Sequence, residues 1–237
     1  MVEPVWTEVD DFFETKLLGD DPALAACLRA SAEANLPEIQ VSPVQGRLLH
    51  LIARAHGARR ILEVGTLGGY SAICLARALP PDGRLITLEI EPKHAEVARA
   101  NIEHAGLSDR VEIRLGPALD TLPKLEEEGA GPFDLFFLDA DRPNNRAYLG
   151  WILRLAGPGA VLVVDNVVRR GGVVDATSDD ANVRGIRDMV EALAREPRIT
   201  ATAIQTVGRK GYDGFILGRI DGPFSAGKAR PSARRRR

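Results

Sequence analysis

Several things are scarce or missing in this chain of 237 residues. There are two cysteines, Cys27 and Cys74. Both fall in predicted helices without metal-type spacing, so they read as reduced core thiols of a cytoplasmic protein. No run of about 18 apolar residues occurs, which argues against a membrane-spanning helix. The opening Met-Val-Glu-Pro-Val-Trp-Thr-Glu is acidic and has no apolar signal core. His50, His56, His94 and His104 sit on predicted helices away from strand ends, and each reads as a surface or packed side chain. No Ser-His-Asp arrangement and no internal repeat can be found.

The charge is uneven. The net value is −2, yet residues 222–237 hold six basic side chains and no acidic one, which leaves 25 basic against 33 acidic in residues 1–221. An acidic body argues against a nucleic-acid platform. The tail is rich in Gly, Pro, Ala and Arg and is expected to be disordered. Hydrophobic residues make up 45%, enough for a full core. One domain is expected over 1–221, with N-terminal helices over 1–57 and a sheet core over 58–221.

The chain is organised around residues 61–71, Ile-Leu-Glu-Val-Gly-Thr-Leu-Gly-Gly-Tyr-Ser. Ile61, Leu62 and Val64 make an apolar run, as in a strand buried on both faces. Gly65, Gly68 and Gly69 follow, then a predicted helix from Tyr70 to Leu79. Strand, glycine loop and helix make up the cofactor half of a doubly wound α/β sheet. The second glycine of the dinucleotide fingerprint is absent, since Thr66 and Leu67 follow Gly65. No lysine stands where a P-loop needs one. What remains is Glu63 in the strand, the glycines, and Glu89 at the end of the next strand, where a carboxylate can accept both hydroxyls of a ribose.

The N-terminal region reads as three helices: 5–18, Asp21-Pro22 to Ala34, and Ser42-Pro43 to His56, closed by Gly57. They could form a lid, a dimer surface, or both. Strands are expected at 60–65, 84–90, 111–115, 133–139, 160–165, 199–207 and 212–220, with helices between the first six. The last two are joined by Gly208-Arg209-Lys210-Gly211, which is too short for a parallel crossover and implies an antiparallel pair.

Strand 4 ends in Leu138-Asp139-Ala140-Asp141 and strand 5 in Val164-Asp165-Asn166. Carboxyl ends of strands are where such sheets bind ligands. If the two strands are neighbours, their tips lie roughly 5 Å apart. Asp139, Asp165 and Asn166 could then present three oxygens to a hard divalent cation. Equally, Asp165 and Asn166 could cap a turn, and spacing alone leaves both readings open.

Taken together, Leu-Glu-Val-Gly-Thr-Leu-Gly-Gly-Tyr-Ser, Leu-Asp-Ala-Asp and Val-Val-Asp-Asn resemble the metal-dependent, S-adenosylmethionine (SAM)-dependent O-methyltransferases of the catechol and caffeoyl-coenzyme A type. The similarity runs from about residue 36 to 220. It implies a Rossmann-like α/β fold with a seven-stranded, mostly parallel sheet of order 3-2-1-4-5-7-6, strand 7 antiparallel. It implies that Asp139, Asp165 and Asn166 bind Mg²⁺, or Ca²⁺ or Mn²⁺. It implies that Val41, Glu63, Gly65, Thr66, Ser71, Glu89, Ala118 and Asp139 serve the cofactor, with Val41 near its methionine part, Ala118 near the adenine and Glu89 on the ribose. The implied reaction is methyl transfer to a small phenolic acceptor, in a homodimer.

One position departs from the family pattern. The similar enzymes commonly carry a lysine three residues after the first aspartate, thought to take the phenol proton. Here that residue is Arg142, which stays protonated. Arg142 can attract a phenolate, while the proton goes to water or to Asp141. Three other readings stand beside the catechol one. They are methylation of a hydroxylated tRNA uridine, a cofactor-binding protein with weak or no turnover, and a nicotinamide dehydrogenase, which the missing glycine disfavours.

Overall fold

The computed structural model describes residues 4–222. Apart from Gly222, the basic tail lies outside them. Among the described residues there are seven strands: β1 Arg60–Val64, β2 Arg84–Glu89, β3 Val111–Leu115, β4 Phe133–Leu138, β5 Ala156–Asp165, β6 Ile199–Gly208 and β7 Gly211–Ile220. They form one sheet of order β3-β2-β1-β4-β5-β7-β6. The first five pair in parallel, and β7 runs antiparallel to both β5 and β6. This is the expected topology. Only Arg209 and Lys210 join β6 to β7, and so short a link closes a hairpin.

The near-continuous apolar runs of β1, β4 and β5 follow from burial on both faces. Leu62, Val64, Phe136, Leu138, Leu162 and Val164 point into one core. Ile61, Leu135, Phe137 and Val163 point into the other. The helices that cover these faces are α3 Pro43–His56, α4 Tyr70–Ala76, α5 Pro92–His104, α6 Ala118–Glu127, α7 Asn145–Leu155 and α8 Ala181–Arg195. Ahead of them lie α1 Pro4–Phe13 and α2 Pro22–Glu33. The helix punctuation works as the residue types dictate. Asp21 Oδ1 accepts from Leu24 N at 3.1 Å and Ser42 Oγ from Gln45 N at 3.3 Å, each with proline at the first helical position. Gly57, at φ 71°, ends α3 in the left-handed conformation.

Some boundaries differ from expectation. The first helix does not run unbroken over 5–18: it widens into a π-helical turn over Glu14–Leu18. Arg209 of the β6–β7 turn donates to Asp11 of α1 at 2.6 Å and to Glu14, the first residue of that π-helical turn, at 2.9 Å. Strand β5 starts at Ala156 rather than at 160. Gly157-Pro158-Gly159 forms the irregular part of that strand, with Gly159 at φ 77°, where the β4–β5 register shifts. A proline is tolerated at such an irregularity because no ladder donor is needed there. Short 3-10 turns occupy Arg142–Asn144 and Arg169–Val174, the second kinked at Arg170 and Gly171. Cys27 and Cys74 are free and buried. Burial pushes both thiols up to about 12, which keeps them protonated and unreactive. No helix among the described residues is long and apolar enough to cross a membrane.

Candidate active site

A cavity of about 630 Å³ opens where β1, β2, β4 and β5 end, within the usual range for ligand pockets. Its floor is the glycine loop. Gly65 has φ 99°, and a Cβ there would stand 2.1 Å from the Asp139 carbonyl oxygen. Only glycine lets the tips of β1 and β4 close on each other. A Cβ on Gly68 would stand 2.2 Å from Ser31 Oγ. The α2 helix can therefore lie across the loop, where Cys27 Sγ donates to the Gly68 carbonyl at 3.3 Å. The N-terminal helices thus cover the site at least through α2.

Behind the loop runs a buried polar chain. Thr87 Oγ1 donates to Glu63 Oε2 at 2.6 Å and meets Thr66 Oγ1 at 2.5 Å. Glu63 is fully buried, and its Oε1 has no hydrogen-bond partner among the described residues. Desolvation pushes its carboxyl up to about 7, against the lowering influence of the neighbouring Ser71 and Thr87 hydroxyls. Glu89 lines the cavity. Its Oε2 accepts from the backbone N–H of Thr66 at 3.2 Å and Leu67 at 2.7 Å; its Oε1 accepts from Ile90 at 2.9 Å and Glu91 at 3.0 Å. Two of these four backbone donors, Thr66 and Leu67, hold the carboxylate of β2 against the glycine loop. Val41, Gly65, Thr66, Ser71, Ala118 and Asp139 line the same cavity. Glu63 does not: it stands behind the wall and fastens Thr87.

Strands β4 and β5 are adjacent, with Leu138 paired to Val164, so Asp139 and Asp165 leave neighbouring tips. The Arg142 guanidinium bridges Asp139 and the neighbouring Asn166. Its Nη2 donates to Asp139 Oδ1 at 2.8 Å and also to Asn166 Oδ1, and its Nη1 donates to the Ala140 carbonyl at 2.6 Å. Asp165 is buried outside the cavity lining and accepts from the Asn166 backbone N–H at 2.8 Å. Burial pushes the Asp165 carboxyl up to about 7, and the Asp139 charge adds to the rise. Burial also raises Asp139, against the pull of Arg142. A carboxylate pair in low dielectric calls for a cation, and the oxygens of Asp139 and Asn166 already bracket one. Two carboxylates and an amide oxygen are the donor set that a hard divalent ion takes, so these residues fit such an ion. Asn166 adopts φ 56°, a left-handed conformation that asparagine tolerates better than most residues.

Asp141 has both oxygens engaged, accepting from the Tyr148 hydroxyl and from the Asn144 amide. Tyr148 lines the cavity, although its place on the helix after strand 4 reads as packing. His94 also lines it, with Nδ1 3.5 Å from Glu89 Oε1, although in sequence it reads as one more helical surface histidine. His94 is the third residue of α5 and Tyr148 the fourth of α7, each at the start of a helix that follows a strand tip, a placement that could have marked them. Arg169 carried no signal at all, because the loop after strand 5 has no readable code.

The O-methyltransferase family profile matches residues 15–219. The chain is 57% identical to a catechol O-methyltransferase of Mycobacterium tuberculosis over 215 residues, 91% of this chain and 96% of that protein. It is 49% identical to a catechol O-methyltransferase of Niastella koreensis, over 92% of this chain and 98% of that protein. Among solved structures, an O-methyltransferase from Bacillus cereus in complex with SAH superposes with a TM-score of 0.91 at 53% identity, covering 92% of this chain and 99% of that one. The O-methyltransferase of Streptomyces achromogenes involved in tomaymycin synthesis, in complex with SAM, superposes with a TM-score of 0.90 at 51% identity, covering 94% and 100%. On this profile match and these relatives, the chain belongs to the O-methyltransferase family.

Proposed function

We propose that this enzyme transfers the methyl group of SAM to one hydroxyl of a small catechol-like aromatic, with a divalent cation, Mg²⁺ ahead of Ca²⁺ or Mn²⁺, held by Asp139, Asp165 and Asn166. The observation that carries this is the meeting of Asp139 Oδ1 and Asn166 Oδ1 on a single cationic group, beside the glycine loop in one cavity. When bound, such a cation makes a neighbouring phenol more acidic. The remaining work falls to the chain itself. Glu89, beside the exposed apolar Ile90 at the cavity wall, suits a nucleoside, with an acceptor for the ribose hydroxyls next to an apolar surface for the base. Val41 and Ala118 flank the two ends of the cofactor. Glu63, Gly65, Thr66 and Ser71 keep the loop in shape.

Arg142 cannot take a proton at neutral pH. It neutralises Asp139 in the free protein and draws the phenolate oxygen toward the wall in the loaded one. The phenol proton leaves to water or to Asp141, which Tyr148 and Asn144 hold in place. The phenolate oxygen then attacks the methyl carbon in line with the departing thioether, and holding the two in register supplies much of the rate. The test is a methyl-transfer screen over catechols read by mass spectrometry. Monomethylated products should appear with Mg²⁺, vanish with chelator and return on adding metal back. Turnover undiminished by chelator would remove the metal from the proposal, and no product from any vicinal diol would remove the acceptor class.

We further propose one domain over 1–221, a homodimer, and a cytoplasmic setting in which the two buried thiols stay reduced. A row of exposed apolar side chains, Val5, Val9, Phe12, Phe13 and Leu17, runs along the N-terminal helix and its π-helical turn. Ile204 and Val207 of edge strand β6 are exposed too. Exposed apolar side chains gathered on one element suit an interface with a second copy.

A further inference from the structure

The charged side chains on the cavity wall can be taken in turn. Asp139 is paired with Arg142, both oxygens of Asp141 are bonded, and Glu89 is held by four backbone N–H groups with His94 beside it. Arg169 is different. It lines the cavity at the β5 side, three residues past Asn166. Among the described residues its guanidinium has no ion pair and no acceptor, and its Nε is sealed from solvent. A partly buried cation without an acceptor costs free energy.

The backbone nevertheless holds that cation in place. Arg169 adopts φ 53°, a left-handed conformation that a residue with a Cβ adopts only at a cost. Asp213 maintains it, with Oδ1 accepting from the N–H of Val168 at 2.9 Å, Arg169 at 3.1 Å and Gly214 at 3.0 Å. Gly214 permits the approach, because a Cβ there would stand 2.3 Å from the Ile204 carbonyl oxygen and 2.7 Å from Val168 Cγ2. Such outliers persist where surrounding structure over-determines them, often at ligand clamps. Arg170 also has a left-handed backbone, φ 55°, but it is exposed and not part of the cavity wall.

We propose that Arg169 is a specificity residue that pairs with a carboxylate on the methyl acceptor, so that vicinal dihydroxy aromatic acids are preferred over neutral catechols. This rests on the catechol proposal above. A ring whose hydroxyls sit at Asp139 and Asn166 turns its substituted edge away from them, and the free guanidinium on the β5 side meets that edge. Guanidinium and carboxylate match in a two-pronged hydrogen bond.

The test needs no turnover. Catechol and 3,4-dihydroxybenzoate are each titrated calorimetrically into the full-length protein with Mg²⁺ and S-adenosylhomocysteine present. The wild type should bind the benzoate at least tenfold more tightly than catechol. Arg169→Gln should shrink that ratio to within about twofold of unity. Arg169→Lys should restore part of it, and Arg170→Gln should leave it intact. Equal affinity for the two ligands in the wild type, or an undiminished preference in Arg169→Gln, overturns the role of Arg169 while leaving the catechol proposal standing. Binding of neither ligand overturns both.

Discussion

Glu63 is a carboxylate held where charge is costly. Its folded pKa, about 7, lies above the ordinary 4.5. For such a group the stabilisation is present below about pH 4.5 and is lost as pH rises through 7, because the folded state must then carry a buried charge. Glu63→Gln removes that charge. The ligand-free variant should melt at a higher temperature than the wild type at pH 8, by up to about 3 kcal/mol in stability, with the gap closing toward pH 5. A gap that does not vary with pH would show that Glu63 is already neutral or already solvated. Arg142 poses the complementary case, a cation already standing among oxygens suited to a metal. Arg142→Ala should tighten Mn²⁺ binding several-fold in a calorimetric titration, since a competing positive charge is gone, and should lower kcat/KM for catechol. Weaker Mn²⁺ binding in the variant would mean instead that Arg142 holds the ligands in position.

The site depends on how closely whole elements approach. Helix α8 presses on the Arg142–Asn144 turn through Gly185, where a Cβ would stand 2.1 Å from the Arg142 carbonyl oxygen and 2.7 Å from Pro143 Cα. Backbone cannot yield as the end of a side chain can. Gly185→Ala should therefore cost about 1–3 kcal/mol in urea denaturation, as overpacking does. It should also reduce methyl transfer by displacing Arg142 and Asp141, although residue 185 touches no ligand. A variant with wild-type stability and activity would show that α8 and the turn can slide apart. The β1 and β4 tips meet under the same constraint at Gly65, 2.1 Å from Asp139 O. Gly65→Ala should abolish cofactor binding in equilibrium dialysis.

For the whole molecule, the edge of the sheet and the N-terminal helix form one continuous surface. Arg209 ties them, with its backbone N–H on Asp10 at 2.8 Å and its guanidinium on Asp11 and Glu14. Phe12 and Leu17, 57% and 70% exposed, stand out from that surface. If two copies join there, the double variant Phe12→Asp, Leu17→Asp should halve the mass seen by light scattering at micromolar concentration. The fold should survive, since neither side chain belongs to the buried cores. A mass unchanged by the substitutions would move the interface elsewhere, or show that there is none.

Residue type and spacing alone determined the order of strands and helices, their caps, the glycine loop after β1 and the antiparallel final pair. All of these are local: a side chain three residues away satisfies a cap, and a two-residue link can join strands in only one sense. The strand-tip aspartates were legible too, because polar residues ending apolar runs stand out. Only the tertiary structure decided that Arg142 lies between Asp139 and Asn166, that Glu63 stands behind the cavity wall, and that Tyr148, His94 and Arg169 face it. Those facts depend on contacts between residues far apart in the chain, such as Asp213 with Arg169 and Gly185 with Arg142. No window of sequence contains both partners of such a contact.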